Sequence, residues 1–407
     1  MDKAATARIE LALRWESPGA LHQDRLFLSR VNLWRDLFPG NLGEALTAEA
    51  GARAARSFAA GELVPEHTKD QVHRVRREQF HPRWRSSAPV EPRVGRFYPR
   101  GFLTEIPGTF PQDRRPFRLL DASADTLFAD LNHPLSQCPL AVEVTLLAMD
   151  PRREERGGRC ADLAEELAQN GPGMQAALPW RETDFLAGNP FAREDSRDDA
   201  EFYAEPRLVH HLDATALDQV RALYGRFLRP GMRILDLMSS WTSHLPAECE
   251  GLEVTGLGMN REELEKNPRL CRRVVHDLNV RPSLPFNDGA FDLALCTVSV
   301  EYLTRPLEVF REAARVLRPG GVFVLTFSER WFPPKVVRIW TELHPFERMG
   351  LVLHYFREAG GFDQLHSESV RGLDRPADDK YAGTLAFSDP VYAVWGVRGP
   401  QPAAGSR

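Results

Sequence analysis

Residues 284–328 read LPFNDGAFDLALCTVSVEYLTRPLEVFREAARVLRPGGVFVLTFS. An acidic turn at Asp288-Gly289 leads into FDLALCTVS (291–299), a near-continuous apolar run of the kind found in strands buried on both faces. PLEVFREAARVL (306–317) carries its apolar residues at helical spacing and ends in Arg318-Pro319-Gly320-Gly321, a helix stop followed by a turn. GVFVLTFS (321–328) is a second buried-strand run. Strand, helix and strand in this order are the unit of a doubly wound α/β sheet.

Further strands lie upstream. MRILDLM (232–238) follows the turn Arg229-Pro230-Gly231, and LEVTGLG (252–258) and RRVVHDL (272–278) come after it. Ligands of open parallel sheets bind outside the carboxyl ends of the strands, at the switch point. Those ends carry Asp236, Met238, Ser239, Ser240 and Trp241; Gly258, Met259 and Asn260; Asp277, Leu278 and Asn279; and Thr297, Val298 and Ser299.

A chain of 407 residues exceeds one ordinary core, so two domains are expected. Residues 1–150 are mixed, with helical runs such as LSRVNLWRDLF, a Pro- and Arg-rich middle, and alternating segments ending in LAVEVTLLAMD. Residues 151–200 read as a linker with one short helix, ADLAEELAQN; residues 201–400 form the α/β domain, and 401–407 a disordered tail. Apolar content of 43% with 27% charged residues describes a globular protein, and a net charge of -5 gives no global reason to expect nucleic acid or an anionic membrane as partner. No apolar stretch has membrane-spanning length, and MDKAATARIELALRW lacks signal-peptide order. Five scattered cysteines without close pairing suggest free thiols, and a cytoplasmic location is expected.

The stretch 284–328 resembles the class I S-adenosylmethionine-dependent methyltransferases, in the group with the order LPF-x-D-x-x-FD, L-x-x-P, VL-x-PGG. The resemblance covers Phe202 to Arg398 and implies a Rossmann-like domain with a mostly parallel seven-stranded sheet and S-adenosyl-L-methionine as cofactor. It implies that Asp236 orients the methionine end of the cofactor and that Asp277 accepts a hydrogen bond from the adenine amino group. Backbone N–H groups of a helix after Asp236 would receive the cofactor's carboxylate. The family's glycine-rich loop reads DLMSSWT here, so Met238, Ser239 and Ser240 must line the cofactor with side chains present. Gly258 stands where the family has an acid for the ribose, with Asn260 or Glu262 as substitutes; Met259, Leu278, Asn279 and Thr297 complete the expected cofactor set. FYAEPRLVHHLD (202–213) with DLMSSWTSHLP (236–246) looks like a narrower subgroup; in the wider fold a helix at the first segment forms a lid, which makes Tyr203, Arg207, His211 and Asp213 lid candidates. His210 and His211 read equally well as helix-face residues without chemistry.

Methyl transfer is an in-line displacement that mainly requires alignment in a dry pocket. Trp241, His244, Ser299, Glu301 and Tyr302 should face the methyl group, with Tyr203 and Arg207 on the acceptor side. His244 and His211 are the best bases, and Tyr302 is the third catalytic candidate. The bland alternatives are that His244 caps a helix and that Trp241 is core. Arg305 and Arg330 are isolated, so a highly anionic acceptor is not expected. A small thiol ionises readily and suits a site without a convincing base, whereas an oxygen acceptor needs one of the histidines.

DTLFADLNHPLSQCPLAVEVTLLAMD (125–150) resembles the closing strands of FKBP-type prolyl isomerases of the SlyD kind, matching at Asp130, Asn132, His133, Pro134 and Leu135. An α+β FKBP-like domain over residues 5–150 is implied, with helix and strand in 38–63 and an inserted flap in 66–118. The aromatic cage such isomerases need lacks walls here, since Val142 replaces one aromatic and ELVPEHTKDQVHRV supplies no tyrosine. The domain is expected to be a scaffold, a substrate-holding module or a homodimer contact. HRVRREQFHPRWR (73–85) reads as a solvated flap before an RNA surface, and His67, His73 and His81 follow no metal-site spacing. Three functions follow: a methyltransferase for a small-molecule acceptor, a protein methyltransferase whose first domain captures a polypeptide, or a binding module without catalysis.

Overall fold

The computed structural model describes residues 6–47, 49–82, 90–150 and 158–400, so the expected tail at 401–407 and Trp84 of the flap lie outside the described residues. The chain divides into two compact units: residues 1–18, 22–188 and 343–350 in the first, and residues 19–21, 189–342 and 351–407 in the second.

In the first unit, β1 (Thr6–Ser17), β2 (Ala20–Asn32), α1 (Leu42–Ala45), β3 (Arg53–Phe58), β4 (Val72–Arg76), β5 (Phe97–Pro99), β6 (Pro116–Ala122), β7 (Thr126–Asp130), β8 (Leu140–Asp150) and α2 (Leu163–Ala168) form two sheets. One runs β2-β1-β8-β3 and the other β4-β7-β6-β5. LSRVNLWRDLF, expected as helical, begins as the end of β2, and turns follow it. Buried His22 and Asp24 face inward on that strand, which hides its two-residue period from a hydrophobicity reading. The second sheet reaches Asp130, beyond the flap expected at 66–118. The described part of the expected linker, up to residue 188, also belongs to this unit. Asp162 caps α2 by accepting from the Ala164 and Glu165 amides, and Leu163, Leu167 and Ala168 join the core. Local polarity concealed that anchoring. All five cysteines are free.

The second unit contains α3 (Asp199–Phe202), α4 (Ala214–Gly225), β9 (Arg233–Leu237), β10 (Glu253–Gly258), α5 (Arg261–Lys266), β11 (Arg272–Val275), β12 (Phe291–Thr297), α6 (Pro306–Val316), β13 (Leu317–Phe327), α7 (Arg338–Glu342), β14 (Phe362–Arg371) and β15 (Val391–Arg398); α8 (Pro345–Ala359) precedes β14. Its strand order is β11-β10-β9-β12-β13-β15-β14, with β15 antiparallel to both neighbours and the other pairs parallel. The chain adds β10 and β11 on one side of β9 and then returns to place β12 on the other. The switch point therefore opens between the carboxyl ends of β9 and β12.

Helix α6 seals one face of this sheet. Phe310 is fully buried, with ring centroids 5.1 Å from Phe323, 5.5 Å from Tyr355 and 4.9 Å from Phe356. Ahead of the sheet, buried Lys335 lies 3.0 Å from Asp199 and 3.6 Å from Asp195, while Arg193 closes on Asp199 at 2.7 Å. These pairs fix the entering segment against the loop after β13. Among the described residues no helix is long and apolar enough to cross a membrane, and no cluster of metal-ligating side chains is present.

Truncating Phe310 empties the centre of this aromatic cluster. Phe310→Ala should lower the unfolding free energy by about 3–5 kcal/mol in urea titration; a loss under about 1 kcal/mol would mean that α6 is held by other contacts.

Candidate active site

The site begins where β9 ends. Met238 takes a left-handed conformation with φ of 56°, and the Ser239 amide then donates to the Leu257 carbonyl at 2.8 Å, laying the loop across the end of β10. A Cβ on Gly258 would fall 2.1 Å from the Ser239 carbonyl oxygen. Glycine is therefore imposed at 258 by the loop above it, and the acid that the resemblance implies there has no room. Ser239 Oγ donates to Asp236 Oδ2 at 2.6 Å. Burial pushes the Asp236 carboxyl up to about 6, while hydrogen bonds from Ser239 and Ser243 oppose the rise.

No helix follows Asp236, contrary to expectation; residues 238–252 are irregular. Left-handed Met238 and His244 and the proline at 246 prevent helical continuation, and serine hydroxyls bond locally. A carboxylate placed here would meet serine hydroxyls and loop amides without a helix dipole.

On the β10 side, Asn260 is committed to structure. Its side chain caps α5 by accepting from the Glu263 amide at 3.1 Å, and it donates to the Tyr203 and Ala204 carbonyls at 2.9 and 3.0 Å. Glu262 is exposed. Glu263 is the acid that lines the cavity, accepting from Ser240 Oγ and from the Arg207 amide, each at 2.7 Å. The sequence reading missed it, although Asn260 with an acid three residues later is a capping-box spacing that aims the acid back at the helix start.

Across the switch point, Asp277 Oδ1 accepts from the Asn279 and Val280 amides at 2.8 and 3.2 Å. Asn279 is also structural: it donates to Asp199 Oδ2 and the Tyr302 carbonyl and accepts from the Thr304 amide and hydroxyl. Thr297 Oγ1 lies 2.6 Å from the hydroxyl of buried Tyr224, and Ser299 Oγ donates to the Thr297 carbonyl at 2.9 Å. Val298 is left-handed, with φ of 46°. The Tyr302 hydroxyl accepts from the Phe332 amide at 2.9 Å, and burial holds its pKa well above the usual value, so it cannot serve as a base near neutrality. Phe332, a further residue missed from sequence, stacks on Tyr302 with centroids 5.9 Å apart. Glu301 does not line the cavity; it is buried behind the wall, because the turn after Ser299 faces it inward.

The expected lid helix is only α3; residues 203–213 are irregular, interrupted by Pro206 and ended by Asp213, which caps α4. Asp213 lies away from the cavity, accepting from Ser388 Oγ and the Asp389 amide. His210 and His211 are thus not helix-face residues. The His210 ring sits 4.6 Å from Trp241 and 5.7 Å from His244, and His211 meets the edge of Phe332 at 5.0 Å. Trp241 is half-buried and donates from Nε1 to the Val209 carbonyl at 3.4 Å. Burial, with the nearby charges of His210, Arg221 and His211, pushes His244 down to about 4; His211 is also lowered, chiefly by burial. His244 has φ of 51° and a buried Nδ1 without a partner.

These elements form one cavity that is partly open to solvent. Asp236, Met238, Ser239, Ser240, Gly258, Met259, Asn260, Asp277, Leu278, Asn279 and Thr297 line it, as do Tyr203, Arg207, Trp241, Ser299, His211, His244 and Tyr302.

A family model described as a methyltransferase domain matches residues 239–325. The chain is 35% identical over 134 residues to the ubiquinone/menaquinone biosynthesis C-methyltransferase UbiE of Ruegeria sp. (strain TM1040), covering 31% of this chain and 49% of that protein. It is 30% identical over 190 residues to 24-methylenesterol C-methyltransferase 2 of Arabidopsis thaliana, covering 44% of each. The matches span about half the length of these relatives. A SAM-dependent methyltransferase structure from Aquifex aeolicus is similar at 16% identity and a TM-score of 0.31, over 49% of this chain and 97% of that one.

Two outcomes follow from the loop. Because the folded pKa of Asp236 lies above its unfolded value, its contribution favours folding at low pH and fades as pH rises through about 6. Wild-type stability relative to Asp236→Asn should therefore fall by on the order of 3 kcal/mol between pH 4 and pH 7; a pH-independent difference in paired urea titrations would contradict it. Gly258→Ala should cost about 1–3 kcal/mol through overpacking against Ser239, and an unchanged denaturation midpoint would show that the loop yields freely.

Proposed function

We propose that the class I S-adenosylmethionine-dependent methyltransferase domain in the second unit transfers a methyl group to a small-molecule nucleophile bound in this cavity. The observation that carries the proposal is the convergence of Asp236, Ser239, Gly258, Asp277 and Thr297, from four strand ends, on one cavity at the switch point. The residues fit the cofactor: Asp277 Oδ2 has no protein partner among the described residues, and Asp236, Ser239 and Gly258 line the cavity beside it. Bound S-adenosylmethionine supplies a methyl group on a positively charged sulfonium.

Asp236 with Ser239 would hold the methionine end, Asp277 the adenine amino group, and Glu263, in place of the acid absent at 258, the ribose hydroxyls. Tyr203, Trp241, Tyr302 and Phe332 form aromatic walls that exclude water from the acceptor side. His244, pushed down to about 4, stays neutral near pH 7 and is a weak base. The acceptor must then bring its own nucleophile. A small thiol meets that requirement, and so does an acidified carbon of the kind implied by the C-methyltransferase names of the relatives. His211, which lines the cavity with its ring against Phe332, is the side chain placed to take up a proton afterwards. For the first unit we propose the role of an FKBP-like scaffold without isomerase activity, supported by Val142, which is packed in the sheet core and offers no aromatic wall.

Calorimetry with the full chain should register S-adenosylmethionine binding, and an acceptor panel led by small thiols should release S-adenosylhomocysteine. Absence of cofactor affinity would end the proposal. Asp277→Asn keeps one oxygen for the backbone amides but loses the free acceptor, so cofactor affinity should weaken about tenfold with the melting temperature unchanged.

A further inference from the structure

One cation in the cavity wall lacks a counter-ion. Arg207 lines the cavity, and among the described residues no carboxylate lies within salt-bridge distance of its guanidinium. Glu263 accepts from the Arg207 backbone amide at 2.7 Å rather than from the guanidinium. The guanidinium rests over three rings, with centroids at 4.5 Å for Phe202, 5.5 Å for Tyr203 and 5.2 Å for Phe332. Nη2 donates to the Phe202 carbonyl at 2.9 Å, whereas Nη1 is buried and has no hydrogen-bond partner. The aromatic faces hold the plane of the guanidinium and favour its charge, but they do not satisfy that N–H. A buried donor left unmade costs free energy, and in an arginine that is always charged the natural complement is an anionic oxygen.

The side chain also faces the acceptor side. Phe332, under the guanidinium, follows β13 and stacks on Tyr302, which follows β12; the residues assigned to the methionine end follow β9. We infer that the methyl acceptor is an aromatic or otherwise flat molecule bearing a carboxylate, which Arg207 Nη1 binds while the rings of Phe332 and Tyr302 flank its skeleton. This rests on the methyl-transfer reading above and is compatible with the sequence expectation, which set aside only a highly anionic acceptor. The sequence placed Arg207 on the acceptor side but could not show that its Nη1 is buried without a partner.

The test uses the full chain saturated with S-adenosylhomocysteine and titrated with benzoate, 4-hydroxybenzoate and cinnamate, each beside its neutral amide. Wild type should bind at least one carboxylate tenfold or more tightly than its amide. Arg207→Gln should abolish that preference, and Arg207→Lys should keep part of it. Affinity for S-adenosylmethionine, measured separately, should change less than threefold in Arg207→Gln, with melting curves checking that both variants fold. No preference for any carboxylate in wild type, or a preference that survives Arg207→Gln, would overturn the inference. So would a tenfold loss of S-adenosylmethionine affinity in Arg207→Gln, which would assign the cation to the cofactor's carboxylate. Wild type that fails to bind S-adenosylmethionine at all fails the methyl-transfer reading first, and is recognised by that separate titration.

Discussion

The close approach of the loop after β9 to the end of β10 governs the geometry of the site. A single backbone hydrogen bond, from Ser239 to Leu257, and the missing side chain at Gly258 let the two segments touch. Everything nearby adjusts to that contact. Asp236 is roofed over and loses solvent, Ser239 becomes its donor, and Ser240 turns to Glu263. Glu263 in turn receives the Arg207 amide, so the irregular segment above the cavity is tied to the same loop. An acid at 258 would break this chain of contacts at its first link.

Backbone strain is concentrated here as well. Met238, His244 and Val298 are non-glycine residues in left-handed conformation, and all three line the one cavity. For a β-branched residue such as Val298 that conformation is exceptional. Strain of this kind persists where surrounding contacts over-determine it, and it is commonly found at ligand sites. Ser239, Trp241 and the Tyr224–Thr297 contact supply such determination on either side of the switch point.

The sheet was legible in the sequence because buried parallel strands are written as apolar runs, and 291–299 and 321–328 show this in pure form. The positions at strand ends were legible for the same reason: once strands are located, topology says where a ligand must lie. Roles were harder to read. Asn260 and Asn279 look like ligand-binding amides in sequence, yet each spends its hydrogen-bonding groups on the protein. Glu263 was hinted at only by its capping-box spacing from Asn260, and Phe332 reaches the cavity from a loop whose direction no local pattern fixes. β2 escaped notice because buried His22 and Asp24 break its alternation; the short helix α2 was read from its sequence, but its anchoring was not, because its partners are distant in the chain.

The depressed basicity of the histidines has an electrostatic meaning beyond weak proton acceptance. A cavity that admits a sulfonium cation must not itself become cationic. Neutral His244, beside His210 and Trp241, gives that wall polarisable rings without positive charge at neutral pH. The imidazoles then behave as dielectric lining, and the charged side chains that line the cavity are the carboxylates of Asp199, Asp236, Glu263 and Asp277 and the guanidinium of Arg207 over Phe332. Opposite charges in one wall set limits on which end of a zwitterionic ligand meets which side, whatever the shape of the cavity.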